Sequence, residues 1–226
     1  MNVWNLLFPV QNQCAFCERK APNGLICRLC EKDIQRIEGP LCTCCGKPMK
    51  IEGSCEDCIA RPQTYFVCNR SAVRYNTKMK DIMSLYKFRG QESLADVLAE
   101  WLEQAYHAYF ANIPLDAITF VPIHEKRMRE RGFNQAEQLA LRLSRKTKLP
   151  IVSLLRRTRV TDKQSKKHRT ERLSALRDAF EWQTCLEPIQ MVLLVDDVYT
   201  TGSTVNECAR VLAEQGIIVY GLTVAR

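Results

Sequence analysis

Eight cysteines near the start of the chain stand at spacings that suit metal binding. They form four Cys-x-x-Cys pairs: Cys14 and Cys17, Cys27 and Cys30, Cys42 and Cys45, and Cys55 and Cys58. The second two pairs repeat the first two at an offset of 28 residues, which indicates an internal repeat of one small unit. Two such turns supply the tetrahedral shell of four thiolates that structural zinc prefers. The sequence therefore predicts two structural zinc ions.

Each repeat holds a complete set of four ligands, so we expect the pairs to combine within a repeat. A cross-braced arrangement, first pair with third and second with fourth, stays open. Disulfides would need an oxidising compartment, which nothing in the sequence supports. Cys44 lies between two predicted ligands and is interpreted as a bystander.

A second constellation joins two acids to a turn rich in hydroxyl groups. The apolar run Met191–Val195 leads directly into Asp196 and Asp197, and Thr200, Thr201, Gly202, Ser203 and Thr204 follow where a helix should start. Adjacent carboxylates repel each other and need a ligand, a metal or strong donors. Backbone N–H groups at a helix start suit a phosphate. The pattern predicts a ribose 5-phosphate site, with hydroxyls on the acids and phosphate in the turn. The alternative is a simple helix-capping cluster. No P-loop or Gly-x-Gly-x-x-Gly motif is present.

The elements that must position this turn follow an alternating pattern. Short apolar runs predict strands at 72–75, 117–121, 191–195 and 217–224. Stripes at helical spacing predict helices around 79–86, 94–105, 134–146 and 205–212. Such alternation predicts an α/β fold with a mostly parallel sheet covered on both faces. We expect two parts, a cysteine-rich zinc module over 1–62 and an α/β domain over 63–226.

Charge and hydropathy narrow the class of protein. The net charge of the 226 residues is +8, yet residues 1–60 hold seven basic and seven acidic residues. The densest basic run, 156–177, holds nine basic residues against two acidic ones. It is interpreted either as a solvated loop or as a site for the phosphates of a nucleotide or a nucleic acid. No apolar run approaches the ~18–20 residues of a membrane span. The first residues lack a basic leader, so we expect no membrane insertion and a cytoplasmic location.

Several motifs together resemble known families. Residues 192–204 are similar to the phosphoribosyl pyrophosphate signature of type I phosphoribosyltransferases. The segments 120–124 and 131–135, then Gln164 with Arg169 and Arg172 before Ala179-Phe180, resemble the ComF family, as does the cysteine-rich front end. That family is associated with natural competence, the uptake of DNA for transformation.

The resemblance implies roles for particular residues. Asp196 and Asp197 would hold the ribose hydroxyls, with Mg²⁺ as a candidate ion, and 200–204 would cradle the 5-phosphate. The turn at 121–124 matches the place where transferases bind pyrophosphate, and 157–172 matches the mobile loop that closes over substrate. Candidates to bind pyrophosphate or backbone phosphate are His124, Arg127, Arg131, Lys163, Arg169 and Arg172.

Three functions remain open at this stage. The first is a protein that handles incoming single-stranded DNA in the cytoplasm, with other DNA-uptake proteins as candidate partners. The second is a phosphoribosyltransferase that uses phosphoribosyl pyrophosphate and an unknown acceptor. The third is a sensor of nucleotides or phosphoribosyl pyrophosphate. The sequence shows no acceptor pocket and no evident general acid or base, so it leaves the catalytic residues unknown.

Overall fold

The computed structural model describes residues 13–14, 16–21, 26–88, 92–159, 178–185 and 187–226. Within these ranges, no helix is long and apolar enough to cross a membrane. The helices are α1 (Arg28–Lys32), α2 (Glu56–Ile59), α3 (Thr77–Phe88), α4 (Glu92–Tyr109), α5 (Glu125–Arg131), α6 (Gln135–Thr147) and α7 (Ser203–Ala213). The strands are β1 (Asn69–Val73), β2 (Ala117–Phe120), β3 (Leu155–Arg157), β4 (Phe180–Trp182), β5 (Met191–Val198) and β6 (Ile218–Ala225).

A parallel sheet forms the centre of the molecule. Among the described residues, its four strands lie in the order β1-β6-β5-β2, and every neighbouring pair runs parallel. All of Val192 to Val195 are buried. Because successive side chains of a strand point to opposite faces, both faces of this sheet are covered. Helices α4 and α6 pack against each other and on the sheet, and α7 packs against β5 and β6. The predicted fold class, a mostly parallel α/β sheet preceded by a cysteine-rich module, is confirmed.

The first strand lies three residues earlier than its apolar residues indicate. It begins at Asn69, which pairs with Gly221 of β6, and its first residues include the buried polar side chains of Asn69 and Ser71. Asn69 Nδ2 donates to Ser71 Oγ at 3.3 Å, and Ser71 Oγ lies 2.6 Å from Thr223 Oγ1 on β6. A side chain on Gly221 would collide with Asn69, since its Cβ would lie 2.6 Å from Asn69 Oδ1. Because the strand begins with polar residues, the pattern of apolar residues did not predict its first three positions.

The cysteine module repeats in structure as it does in sequence. Each first Cys-x-x-Cys turn is closed by an antiparallel bridge, Gln13 with Lys20 and Leu41 with Pro48, and these positions also differ by 28 residues. Each second Cys-x-x-Cys begins a short helix, α1 after Cys27 and α2 after Cys55. The unit is therefore one motif used twice.

The module completes the free edge of β1. Ile37 N donates to Ala72 O at 3.1 Å, and Arg74 N donates to Gln35 O at 2.8 Å. Asn69 N donates to Cys44 O at 2.7 Å, so the backbone of the bystander cysteine has a structural role. Open strand edges are prone to unwanted pairing, and the module covers this one. The division of the chain at residue 62 stays a prediction.

Candidate functional site

The predicted phosphate turn lies at the carboxyl end of β5, as its sequence indicated. The strand extends to Val198, three residues beyond its apolar core, because Asp196 pairs with Thr223 and Val198 with Ala225 on β6. Both acids are therefore held by the sheet itself. In parallel sheets, ligands bind beyond the carboxyl ends of the strands. The end of β2, which continues into the turn at 121–124, lies beside them.

The turn is shaped by Gly202 and closed by hydroxyl groups. Gly202 has a φ of 75°, in the left-handed region, and is the residue before α7. Thr201 Oγ1 lies 2.8 Å from Ser203 Oγ and accepts from Ser203 N at 3.4 Å. Gly202 and Ser203 are buried, while Thr201 and Thr204 are half-buried and Thr200 is exposed. The first N–H groups of an eleven-residue helix thus lie beside the hydroxyl groups of the turn.

The acid pair is unequal in its environment. Lys87, near the end of α3, forms a salt bridge with Asp197, and both side chains are mostly buried. Burial, and after it the charge of Asp197, raises the pKa of Asp196 to about 7. The backbone N–H of Asp197 donates to Asp196 Oδ1 at 2.8 Å and opposes that rise. Asp196 therefore gains or loses its proton close to neutral pH, while Lys87 balances the charge of Asp197.

Arg131 and Arg157 lie within electrostatic range of the acids, and Arg127 lies within range of both arginines. Burial first, and then the charge of Arg127, lowers the pKa of both Arg131 and Arg157. Asp197 acts in the opposite direction on Arg131, and Asp196 does so on Arg157. Arg131 Nη1 also donates to Gln135 Oε1 at 2.7 Å. Positive groups held this close together favour the binding of an anion at the same edge of the sheet.

Of the other residues predicted to bind phosphate, one caps a helix and three lie outside the part of the chain that the structure describes. His124 is the residue before α5, and its Nδ1 accepts from Lys126 N at 3.1 Å, so one ring nitrogen serves as a helix cap. Lys163, Arg169 and Arg172 lie outside the described residues. Their role in phosphate binding stays a prediction.

Each predicted set of four cysteines comes together within its own repeat. The sulfurs of Cys14, Cys17, Cys27 and Cys30 all lie within 4.8 Å of one another, as do those of Cys42, Cys45, Cys55 and Cys58. Cys17 Sγ and Cys27 Sγ are 3.6 Å apart, and so are Cys45 Sγ and Cys55 Sγ. A tetrahedral zinc ion with Zn–S bonds of about 2.3 Å separates its ligands by about 3.8 Å, so both sets fit zinc. This grouping favours pairing within repeats over the cross-braced alternative.

Backbone donors prepare the sulfurs for metal. Cys30 N donates to Cys27 Sγ at 3.5 Å, and this bond is the main cause that lowers the pKa of Cys27 to about 6. In the second set, Cys55 N donates to Cys42 Sγ at 3.3 Å. Zinc binds thiolates, and N–H donors stabilise that form.

Sequence reasoning missed several residues that the fold brings to the site. Lys87 pairs with Asp197, and Arg61 and Tyr199 contact the turn from the side of the zinc module. Tyr199 lies inside the recognised motif, but Arg61 lies at the end of the predicted zinc module, where no residue after Cys58 was assigned a role. Nothing in the local sequence of Lys87 or Arg61 distinguishes it from a surface cation, so only the tertiary contacts identify the two.

Comparison with known proteins adds relatives along nearly the whole chain. A family model described as a double zinc ribbon domain matches residues 3–59. The chain is 32% identical over 200 residues to the competence protein ComFC of Bacillus subtilis, and the match covers 86% of this chain and 80% of that protein. It is 30% identical over 215 residues to competence protein F of Haemophilus influenzae, with 89% and 91% covered. It is 31% identical over 196 residues to the DNA utilization protein YhgH of Escherichia coli, with 84% and 85% covered.

Solved structures show more distant likenesses. Orotate phosphoribosyltransferase from Aeropyrum pernix matches with a TM-score of 0.36 and 20% identity, over 70% of this chain and 69% of that one. An adenine phosphoribosyltransferase matches with a TM-score of 0.37 and 18% identity, over 64% and 75%. At TM-scores this low, neither likeness bears on what the chain does.

Proposed function

The chain belongs to the ComF family, and from that premise we propose that it handles incoming single-stranded DNA in the cytoplasm during DNA uptake. The relatives in Bacillus subtilis and Haemophilus influenzae are named as competence proteins, and the one in Escherichia coli as a DNA utilization protein. Other proteins of DNA uptake are its proposed partners. The small-molecule ligand would carry a 5-phosphoribosyl group, as phosphoribosyl pyrophosphate or ribose 5-phosphate do. A DNA backbone would share only the phosphate contacts of the turn, because its internal sugars have no free hydroxyl for the acids.

The observation that supports this proposal most is the junction of β5 and α7. There, two acids, a hydroxyl-lined turn and a helix start meet within nine consecutive residues, 196–204. The N–H groups of the turn would donate to the phosphate, and the carboxylates would accept from the ribose hydroxyls. Mg²⁺ suits the same carboxylates together with phosphate oxygens. The residues of the turn and the acid pair would thus bind and orient the sugar phosphate.

The cations at the same edge would extend this grip along a backbone. Arg131 lies within electrostatic range of Asp197, and Arg157 within range of Asp196. Arg157 and its neighbour Arg156 lie on β3, where the basic run 156–177 begins. Arg156 pairs with Glu181 at 2.5 Å, so part of the charge is already matched within the fold. The remaining positive charges of the run, Lys163, Arg169 and Arg172 among them, would bind phosphates without reading the base sequence.

Calorimetry with ribose 5-phosphate tests the sugar-phosphate site. The wild type should bind, and a variant with both Asp196→Ala and Asp197→Ala should bind at least tenfold more weakly, since both acceptors of the hydroxyls are lost. A matched control replaces two exposed acids on neighbouring helices, Glu100→Ala and Glu137→Ala, and should keep full affinity. Equal binding by the wild type and the site variant would place the ligand elsewhere.

Fluorescence anisotropy with a labelled single strand tests the DNA interface. Affinity should fall with salt at a logarithmic slope of about −0.7 per phosphate neutralised. Reversal of Lys163, Lys166, Lys167 and Arg169 to Glu should weaken binding and flatten the slope. The control reverses four exposed cations elsewhere, namely Lys32, Lys50, Lys80 and Arg145. Unchanged affinity in the first variant would move the interface to another surface.

A competition experiment separates one shared site from two. If the backbone and the sugar phosphate use the same turn, phosphoribosyl pyrophosphate should displace the labelled strand at concentrations near its own Kd. If DNA binds only through the basic run, the strand should stay bound. The second result would limit the turn to small ligands.

One observation favours a second function, transfer of the phosphoribosyl group to an acceptor. Asp196 has a pKa of about 7 beside several cations, and groups whose pKa lies near neutral pH are common at catalytic sites. Incubation with phosphoribosyl pyrophosphate and a panel of bases tests it. Steady release of pyrophosphate with one base, lost in Asp196→Asn, would establish the enzyme. No release with any base of the panel would count against it.

A further inference from the structure

Arg61 joins the zinc module to the phosphate-binding turn. It stands three residues after Cys58, the last ligand of the second cysteine set. Its Nη2 donates to Thr201 O at 2.8 Å and to Tyr199 Oη at 3.1 Å. One guanidinium group, carried by a segment outside the α/β motif, thus fixes two points of the turn.

Tyr199 transmits this contact to the glycine at the start of α7. The side chain of Tyr199 is buried, and its hydroxyl lies against Gly202 so closely that a Cβ there would be 2.1 Å from Tyr199 Oη. The ring of Phe66 meets the Tyr199 ring edge-on, with centroids 6.4 Å apart. The left-handed turn at Gly202 is therefore packed from below by a tyrosine that Arg61 holds in place.

Arg226 makes a second connection between the same two regions. Its guanidinium lies over the Tyr199 ring, 4.8 Å from the centroid, and also donates to Cys45 O in the second cysteine set. A cavity of about 130 Å³ separates the cysteines from the turn, lined by Cys45, Asp57, Cys58, Arg61, Tyr199, Thr200, Thr201 and Arg226. Two cations therefore face two predicted zinc ligands across a small space.

The charges across this cavity match when the set holds zinc. Four thiolates around Zn²⁺ carry a net charge of −2, which the two guanidinium groups balance. Asp57, which also lines the cavity, is paired with Lys47 at 3.1 Å. Arg61 Nη1 is buried without a hydrogen-bond partner, so its charge depends on this field for compensation. Loss of the metal would remove the dianion and leave Arg61 free to shift, together with the carbonyl and hydroxyl groups that it holds.

We propose that Arg61 is a positioning residue that couples the second cysteine set to the phosphate-binding turn. Zinc in Cys42, Cys45, Cys55 and Cys58 raises the affinity of the turn for a phosphate ligand, and the ligand raises the affinity of that set for zinc. The two effects have the same size, because coupling between two binding equilibria is reciprocal. This inference rests on the proposed sugar-phosphate site.

The first cysteine set supplies an internal control. Its buried cysteines Cys14, Cys27 and Cys30 form a separate hydrophobic cluster with Ala21, whereas Cys42, Cys45 and Cys55 belong to the main core. None of the first set lines the cavity beside the turn. A phosphate ligand should therefore change the zinc affinity of the second set alone.

Equilibrium competition against a chelator tests the coupling in the full-length chain. Zinc bound to each set is measured with and without saturating ribose 5-phosphate, and Cys27→Ser, which disables the first set, assigns the two sites. We expect the ligand to tighten the second set by about tenfold, within the range usual for coupled sites, and to leave the first unchanged. Arg61→Gln should abolish this tightening, while Arg61→Lys should restore part of it through charge alone. The exposed Arg74→Gln should behave as the wild type.

The outcomes separate this inference from the proposed function. If ribose 5-phosphate binds the wild type by calorimetry but leaves both zinc affinities unchanged, the coupling is wrong and the site stands. Coupling of full size in Arg61→Gln would also overturn the role of Arg61, provided that its circular dichroism matches the wild type. If the wild type does not bind the ligand at all, the proposed site fails and the inference with it.

Discussion

The acid pair at the end of β5 should make the protein less stable as the pH rises towards neutrality. The pKa of Asp196 is about 7 in the folded chain, against a reference value of 3.8. Between these values the folded state binds more protons than the unfolded state, so the free energy of unfolding falls as the pH rises. The fall stops above the folded pKa, where Asp196 is charged in both states.

The magnitude follows from the size of the shift. A difference of about three pKa units corresponds to about 4 kcal/mol over the whole pH window. Only the upper part is open to measurement, because zinc thiolates become protonated in acid and the metal is lost. From about pH 5.5 to about pH 8.5, the group titrates over about 1.5 pH units below its pKa, which gives about 2 kcal/mol.

Urea unfolding of wild type and Asp196→Asn measures this contribution. Asparagine resembles the protonated acid at every pH, so the variant should gain about 2 kcal/mol on the wild type between pH 5.5 and 8.5, or about 1 M in the urea midpoint. The exposed Glu137→Gln serves as the control and should keep a constant offset. A gap between Asp196→Asn and wild type that does not change with pH would refute the raised pKa and its cause.

Three further predictions follow from the same contacts. Gly202→Ala should reduce ribose 5-phosphate binding by more than tenfold, measured by calorimetry, and should destabilise the chain by about 2 kcal/mol, measured by urea unfolding. Both effects are expected because the new Cβ would collide with Tyr199 and because the residue must keep a positive φ. Cys55→Ser should lower the zinc content from two ions to one, measured by elemental analysis, and should also lower the urea midpoint of the α/β body, because Cys55 packs in its core. Cys27→Ser should also lose one ion but should leave that midpoint unchanged. Lys87→Met should weaken stability by about 3 kcal/mol at pH 8, since a mostly buried Asp197 then lacks its partner, and Asp197→Asn in the same background should restore most of it.

Each of these three predictions has an outcome that would contradict it. A Gly202→Ala variant with full affinity would show that the turn does not hold the phosphate. Equal midpoints for the two cysteine variants would show that the second set does not support the body. A Lys87→Met variant that Asp197→Asn cannot rescue would mean that Lys87 stabilises the fold by packing and not by its charge.

Much of the fold could be predicted because its signals are local. The apolar run of β5 and the helical stripes of α3, α4, α6 and α7 depend on residues close in sequence, and each lies where the pattern placed it, within a few residues. Other elements gave no such signal. Helix α5 holds only one apolar residue, Met128, and its start depends on the capping contact of His124. Strands β3 and β4 are three residues each and are held by their mutual pairing.

The sequence by itself determined the two chemistries proposed for this protein. Each set of four cysteines spans 17 residues, and the run from Asp196 to Thr204 spans nine, so no distant part of the chain is needed to recognise them. Only the tertiary structure decided how these chemistries are supported. Lys87 reaches Asp197 from another helix, and Arg61 reaches the turn across 138 and 140 residues of chain to Tyr199 and Thr201. These contacts depend on how the sheet, its helices and the zinc module pack together in three dimensions. The local sequence around a single lysine or arginine therefore does not predict them.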